Sequence, residues 1–146
     1  MAQASGRDAT MVLDMAVPAR LDRVPAVVAA VAEAARRAGL APEVVSYLEL
    51  AVEEAATNVC QYAYPEAPGD LQVRVQENEA QVTVELIDAG PVFDPLALPL
   101  PDTGVRLEER SIGGLGVFLI RQFVDDLHYQ RRDARNVLQL VMHKEA

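Results

Sequence analysis

Two runs of alternating apolar and polar residues constrain this chain more than any other feature. Leu71 to Glu77 sets Leu71, Val73 and Val75 against Gln72, Arg74 and Gln76, and Gln81 to Asp88 sets Val82, Val84 and Leu86 against Thr83, Glu85 and Ile87. A period of two marks strands that bury one face. The link Glu77-Asn78-Glu79-Ala80 is short and polar, so the two strands join as an antiparallel hairpin. A lone hairpin is marginal in water, and its apolar face needs a covering layer.

The residues before the hairpin supply that layer. Met11 to Val17 reads as an opening strand ended by Pro18. From Leu21 to Ala38 an Ala-rich segment carries Leu21, Val24, Val28 and Val31 at helical spacing and stops at Gly39. Pro42 suits the first position of a second helix, which runs to about Tyr64 before Pro65, Pro68 and Gly69 force a turn.

Beyond the hairpin the periodicity lapses. Residues 89–112 hold Gly90, Pro91, Pro95, Pro99, Pro101 and Gly104 with no sustained pattern, which suits a lid or binding loop better than a linker. The cluster Gly113-Gly114-Leu115-Gly116 opens a third helix to about Asp125. A strand near Leu127 to Arg131, a turn at Arg132 to Arg135 and a strand from Val137 to His143 follow. The fold class is therefore α+β: a two-layer sandwich, with a mostly antiparallel sheet covered on one face by three helices. A tail at residues 1–10 precedes a single domain at 11–146, because 146 residues leave no room for a second core.

Composition removes several function classes. Asp plus Glu number 22 against 13 Lys plus Arg, a formal net charge of −9, so a broad nucleic-acid footprint is not expected. Twelve of the basic residues are Arg, and Lys144 is the one lysine, which argues against Walker-type phosphate lysines and Schiff-base chemistry. Cys60 stands alone, so neither a disulfide framework nor a cysteine metal site is expected. With no leader-like start and no long apolar run, the chain reads as cytoplasmic, without a membrane span.

Three segments can carry chemistry. In Glu54-Ala55-Ala56-Thr57-Asn58, the first and last residues lie four apart on one helix face, outside the stripe of Val45, Leu48, Val52, Ala55, Ala56 and Val59. They form either a solvated surface pair or a carboxylate that accepts a proton beside an amide that holds a hard cation. Asp88-Ala89-Gly90 ends a strand, either as an ordinary turn or as a carboxylate that accepts hydrogen bonds from an amine. Gly113 to Gly116 precedes a helix, where free backbone N–H groups and the dipole favour phosphate, and Arg110 adds a nearby cation. The alternative for that cluster is a tight packing loop. His128 and His143 read as structural or surface histidines.

In this order the segments resemble the nucleotide-binding boxes of the GHKL ATPase superfamily, shared by histidine kinases, type II topoisomerases and a heat-shock chaperone. The chain is more closely similar to the small stand-alone anti-sigma factor serine kinases of bacterial partner-switching systems. The resemblance runs from about Leu13 to Lys144. It is carried by Glu49 to Asn58 (ELAVEEAATN), Phe93-Asp94-Pro95, and Gly113 to Arg121 (GGLGVFLIR).

The resemblance implies the Bergerat, or histidine kinase-like ATPase, fold, with ATP and Mg²⁺ as cofactors. It implies that Glu54 is the general base toward a protein serine, that Asn58 coordinates Mg²⁺, and that Asp88 receives the adenine amine with Gly90 making room. It further implies that Gly113, Gly114, Leu115 and Gly116 face the phosphates, that Arg110 reaches the terminal phosphate, and that residues 91–112 form the ATP lid. The implied partners are a STAS-domain anti-sigma factor antagonist as substrate and a sigma factor or analogous regulator in the alternate state. The relatives often dimerise, so a homodimer is open to this chain.

Three positions depart from the family pattern: Val92 replaces a second glycine, Tyr62 replaces a histidine, and Gln139 stands where a small hydroxyl residue is frequent. The first two favour the rival expectation of a non-catalytic, nucleotide-gated binding module. A detached histidine-kinase catalytic domain is a weaker third reading, since no dimerising helical hairpin with a phosphoacceptor histidine is present.

Overall fold

The computed structural model describes residues 9–63, 69–92 and 120–144, with backbone only at 62 and 63. The hairpin read from the alternating runs forms as β2 (Asp70–Glu77) and β3 (Gln81–Asp88), paired antiparallel with Val75 opposite Val84 and Val73 opposite Leu86. β1 (Thr10–Pro18) adds to one side of the hairpin. β5 (Arg135–His143) and then β4 (Asp126–Arg132) add to the other, giving the order β1-β2-β3-β5-β4 with every neighbour antiparallel.

Two helices cross one face of this sheet. α1 (Val24–Arg37) follows a 3₁₀ turn at Leu21–Arg23, which is why the helix starts later than its apolar spacing predicts. It ends in a Schellman closure: Gly39, at φ +99°, donates to Arg36 O and Leu40 donates to Ala35 O. Only glycine adopts that φ without strain. α2 (Pro42–Asn58) begins at its proline as expected, but the α-helix stops at Asn58 and becomes a π-helical turn over Val59–Ala63. π turns are rare and concentrate at functional sites. Residues 120–123 are the described part of the third helix.

The core lies between these layers. Val73, Val75, Val82, Val84 and Leu140 are fully buried on the helix-facing side of the sheet, against Val27, Val31, Leu48 and Val52. Phe123 stacks on Tyr47 of α2 at 5.8 Å between ring centroids, which ties the third helix to the second. The two-layer α+β sandwich is thus the fold that the alternating runs require.

The opposite face carries a polar row. Asp14, Arg74, Glu85, Gln139 and His128 stand opposite one another across all five strands. Arg74 sits 3.8 Å from Asp14 and 4.0 Å from Glu85, and Gln139 donates to Glu85 at 2.8 Å. The tail at 1–8 and most of the expected lid lie outside the described residues.

Candidate active site

α2 delivers the first pair of residues. Glu54 and Asn58 are one turn apart, yet they meet different surroundings: Glu54 is half-buried, while Asn58 is only 2% exposed. A solvated surface pair is therefore excluded for Asn58. Among the described residues neither Asn58 Oδ1 nor Asn58 Nδ2 has a hydrogen-bond partner. An orphaned buried polar group costs about 1–3 kcal/mol, so such a group calls for a ligand, an ion or a water to satisfy it. Burial pushes the Glu54 carboxyl above its ordinary range, with a further push from the neighbouring Glu53 charge. A raised carboxylate is a stronger base at neutral pH, the property a general base needs.

β3 delivers the second group. Asp88 ends that strand and is 4% exposed. Its Oδ1 accepts from Gly90 N at 2.9 Å, which makes the Asx turn that the Asp-Ala-Gly sequence suggests. The same oxygen accepts from Asn136 Nδ2 at 3.0 Å. Among the described residues no hydrogen bond ends on Asp88 Oδ2.

Register explains the second contact. Asn136 of β5 lies directly opposite Asp88, and Arg131 of β4 lies directly opposite Asn136. Side chains opposite each other in antiparallel strands are close enough to bond. Asn136 also donates to Pro91 O at 2.9 Å and accepts from the Tyr129 hydroxyl, while Arg131 donates to Gly90 O at 2.8 Å. Tyr129, Arg131 and Asn136 were not legible as site residues. Their only signal is their register against Asp88, and register needs the turn at Asp133 and Ala134, both at positive φ, to be known. Gln139, the last-strand position marked by the family pattern, points to the other face and bonds Glu85 instead.

The two groups meet in one pocket. It is lined by Ala55, Asn58 and Val59 from α2 and the turn after it, Leu86 and Asp88 from β3, Ile120 from the third helix, and Tyr129, Asn136 and Leu138 from β4 and β5. A carboxylate among mostly apolar lining residues can accept a hydrogen bond from an amine, and the Asn58 amide lies in the same pocket. Gly90 stands beside Asp88 as expected. Arg110, Gly113, Gly114, Leu115 and Gly116 lie outside the described residues, as does the Tyr62 side chain.

Other groups are placed away from the pocket. Lys144 pairs with Glu77 at 2.7 Å, at the end of the sheet remote from Asp88. His143 lies beside Asp125 and Asp126 on the surface. Among the described residues no cluster of three or more His, Cys, Asp or Glu could hold a metal ion, so an ion here would depend on Asn58 together with ligand oxygens. No described helix is long and apolar enough to cross a membrane.

Comparison with known proteins places this geometry in context. Residues 17–142 match the family described as histidine kinase-like ATPase domain. The chain is 32% identical over 97 residues to the serine/threonine-protein kinase BtrW of Bordetella bronchiseptica, covering 66% of this chain and 68% of that protein. It is 28% identical over 130 residues to the serine-protein kinase RsbW of Bacillus cereus, covering 86% of this chain and 81% of that one. An RsbW of Bacillus thuringiensis matches at the same 28% over 130 residues.

Proposed function

The chain belongs to the histidine kinase-like ATPase family, and on that premise we propose that it is an ATP-dependent protein serine kinase acting on a STAS-domain anti-sigma factor antagonist. One observation carries the reading: Asn58, buried and with both amide atoms unpartnered among the described residues, shares a pocket with Asp88, one helical turn from a half-buried glutamate. The two relatives, a serine/threonine-protein kinase and a serine-protein kinase by name, support the same chemistry.

The residues divide the work. Asp88 accepts a hydrogen bond from the exocyclic amine of the base, and Leu86, Ile120 and Leu138 flank its ring. Asn58 Oδ1 is a hard oxygen donor and fits Mg²⁺, whose coordination would be completed by phosphate oxygens and water. Bound there, Mg²⁺ supplies charge neutralisation on the phosphates. Glu54 takes the proton from the acceptor serine as its oxygen bonds to the γ-phosphorus; the bond to the β-bridging oxygen breaks and ADP leaves. Gly113 to Gly116 and Arg110 are assigned to the phosphates, and 91–112 to the lid, by family resemblance.

In the alternate state the protein sequesters a sigma factor or an analogous regulator, in the cytoplasm. Incubation with Mg-ATP and the antagonist tests the reading. Phosphoserine on the antagonist is the expected product. Stoichiometric complex formation without any phosphoserine would instead establish the nucleotide-gated binding module.

A further inference from the structure

Asp88 is held by a side-chain clamp whose donors and acceptors can be assigned one by one. Asn136 Oδ1 lies 3.2 Å from Arg131 Nη1, a group that can only donate. That fixes the amide orientation, so Asn136 Nδ2 faces Asp88 Oδ1 and Pro91 O. Arg131 Nη1 reaches Gly90 O as well. The carbonyls of Gly90 and Pro91 and one carboxylate oxygen of Asp88 are thereby stapled to two neighbouring strands. The remaining oxygen, Asp88 Oδ2, is left to accept from a ligand.

We propose that Asn136 and Arg131 are positioning residues that orient Asp88 for an amino-purine and make the site discriminate against oxo-purines. The inference rests on the nucleotide reading above. A carboxylate locked in one rotamer accepts from an amine at the purine 6-position and repels a carbonyl there. With the clamp in place, the turn at 88–91 is ordered before the ligand arrives, so Val92 does not need the freedom of a glycine. Val92 itself is 68% exposed. The clamp holds the group assigned to the base and includes none of the groups assigned to the phosphates or the acceptor serine, so its effect falls on nucleotide affinity and not on turnover.

The test measures Kd for ATP and for inosine triphosphate, which carries a 6-oxo group, together with kcat at saturating ATP. Asn136→Ala should weaken ATP about tenfold while changing inosine triphosphate less than about twofold, so the ATP preference narrows and kcat stays within about twofold. Asn136→Asp, which sets a second carboxylate against Asp88, should weaken ATP more than alanine does. Arg131→Met, at an exposed position, should shift the preference in the same direction and carries the comparison if the Asn136 variants fail to fold. Equal losses for both nucleotides, or unchanged ATP affinity in folded variants, would overturn the positioning role. Failure of the unmodified protein to bind ATP at all would overturn the nucleotide reading instead.

Discussion

Asn136 donates its side-chain amide to Asp88 Oδ1 across 3.0 Å, joining the start of β5 to the end of β3 through two residues 48 apart in sequence. The contact fixes a carboxylate in the pocket that Asn58, Tyr129 and Asn136 also line. The pocket thus combines a clamped acceptor, Asp88, with an Asn58 amide that has no hydrogen-bond partner among the described residues.

The Asn58 amide, without a hydrogen-bond partner among the described residues, carries a cost in the ligand-free protein. Replacing it by leucine, of similar volume and without polar atoms, should raise the melting temperature of the free protein by about 2–4 °C. The same change should abolish the rise in melting temperature that Mg-ATP gives the unmodified protein. Calorimetry with and without Mg-ATP reads both effects; a large drop in the free protein would show that the amide is satisfied.

Glu54 has a folded-state pKa raised above its ordinary value of 4.5, so its neutral form fits the fold better than its charged form. That contribution is fully present below the unfolded value and is lost as pH rises through the folded one. Glu54→Gln should accordingly stabilise the protein at pH 7 and match the unmodified protein below about pH 4. Thermal melts across that range check the sign. The acid limb of the transfer rate should also lie above the ordinary carboxylate range.

The net charge of −9 gives little general attraction for a triphosphate. Between residues 89 and 112, Asp94, Asp102, Glu108 and Glu109 outnumber Arg106 and Arg110. Binding therefore leans on local groups and on Mg²⁺. Chelating Mg²⁺ should weaken ATP far more than raising salt to about 0.3 M does, because screening acts chiefly on distant exposed charges. Titrations under the two conditions compare directly, and similar losses would contradict the assignment of Asn58.

Cys60 follows the π turn's first residue and is buried, and its thiol is pushed up by burial and by the Asp22 charge. It should react slowly with alkylating reagents at pH 7.5, at a rate that tracks unfolding. Fast labelling of the folded protein would place the thiol in water.

The sheet and its covering helices were legible because Val73, Val75, Val82 and Val84 alternate strictly with polar residues, and alternation states which face is buried. Glu54, Asn58, Asp88 and Gly90 were legible as spacing along one helix and at one strand end. Sequence did not reveal that Asn58 is buried, because it sits outside the apolar stripe; in the fold it lines a pocket with Val59 and Ile120. Nor did it reveal Asn136, whose meaning lies in facing Asp88 across a pair of strands. Gln139, three positions on, faces the opposite side of the sheet, because alternation sends an odd offset to the other face.

The central claim is that Glu54 removes the proton from an acceptor serine. Its most direct test is single-turnover transfer of γ-phosphate to the antagonist by the unmodified protein and by Glu54→Ala, with ATP affinity measured on the same samples. The account predicts that transfer falls by at least about 100-fold while ATP affinity changes less than about threefold. Transfer at the full rate by Glu54→Ala would contradict it.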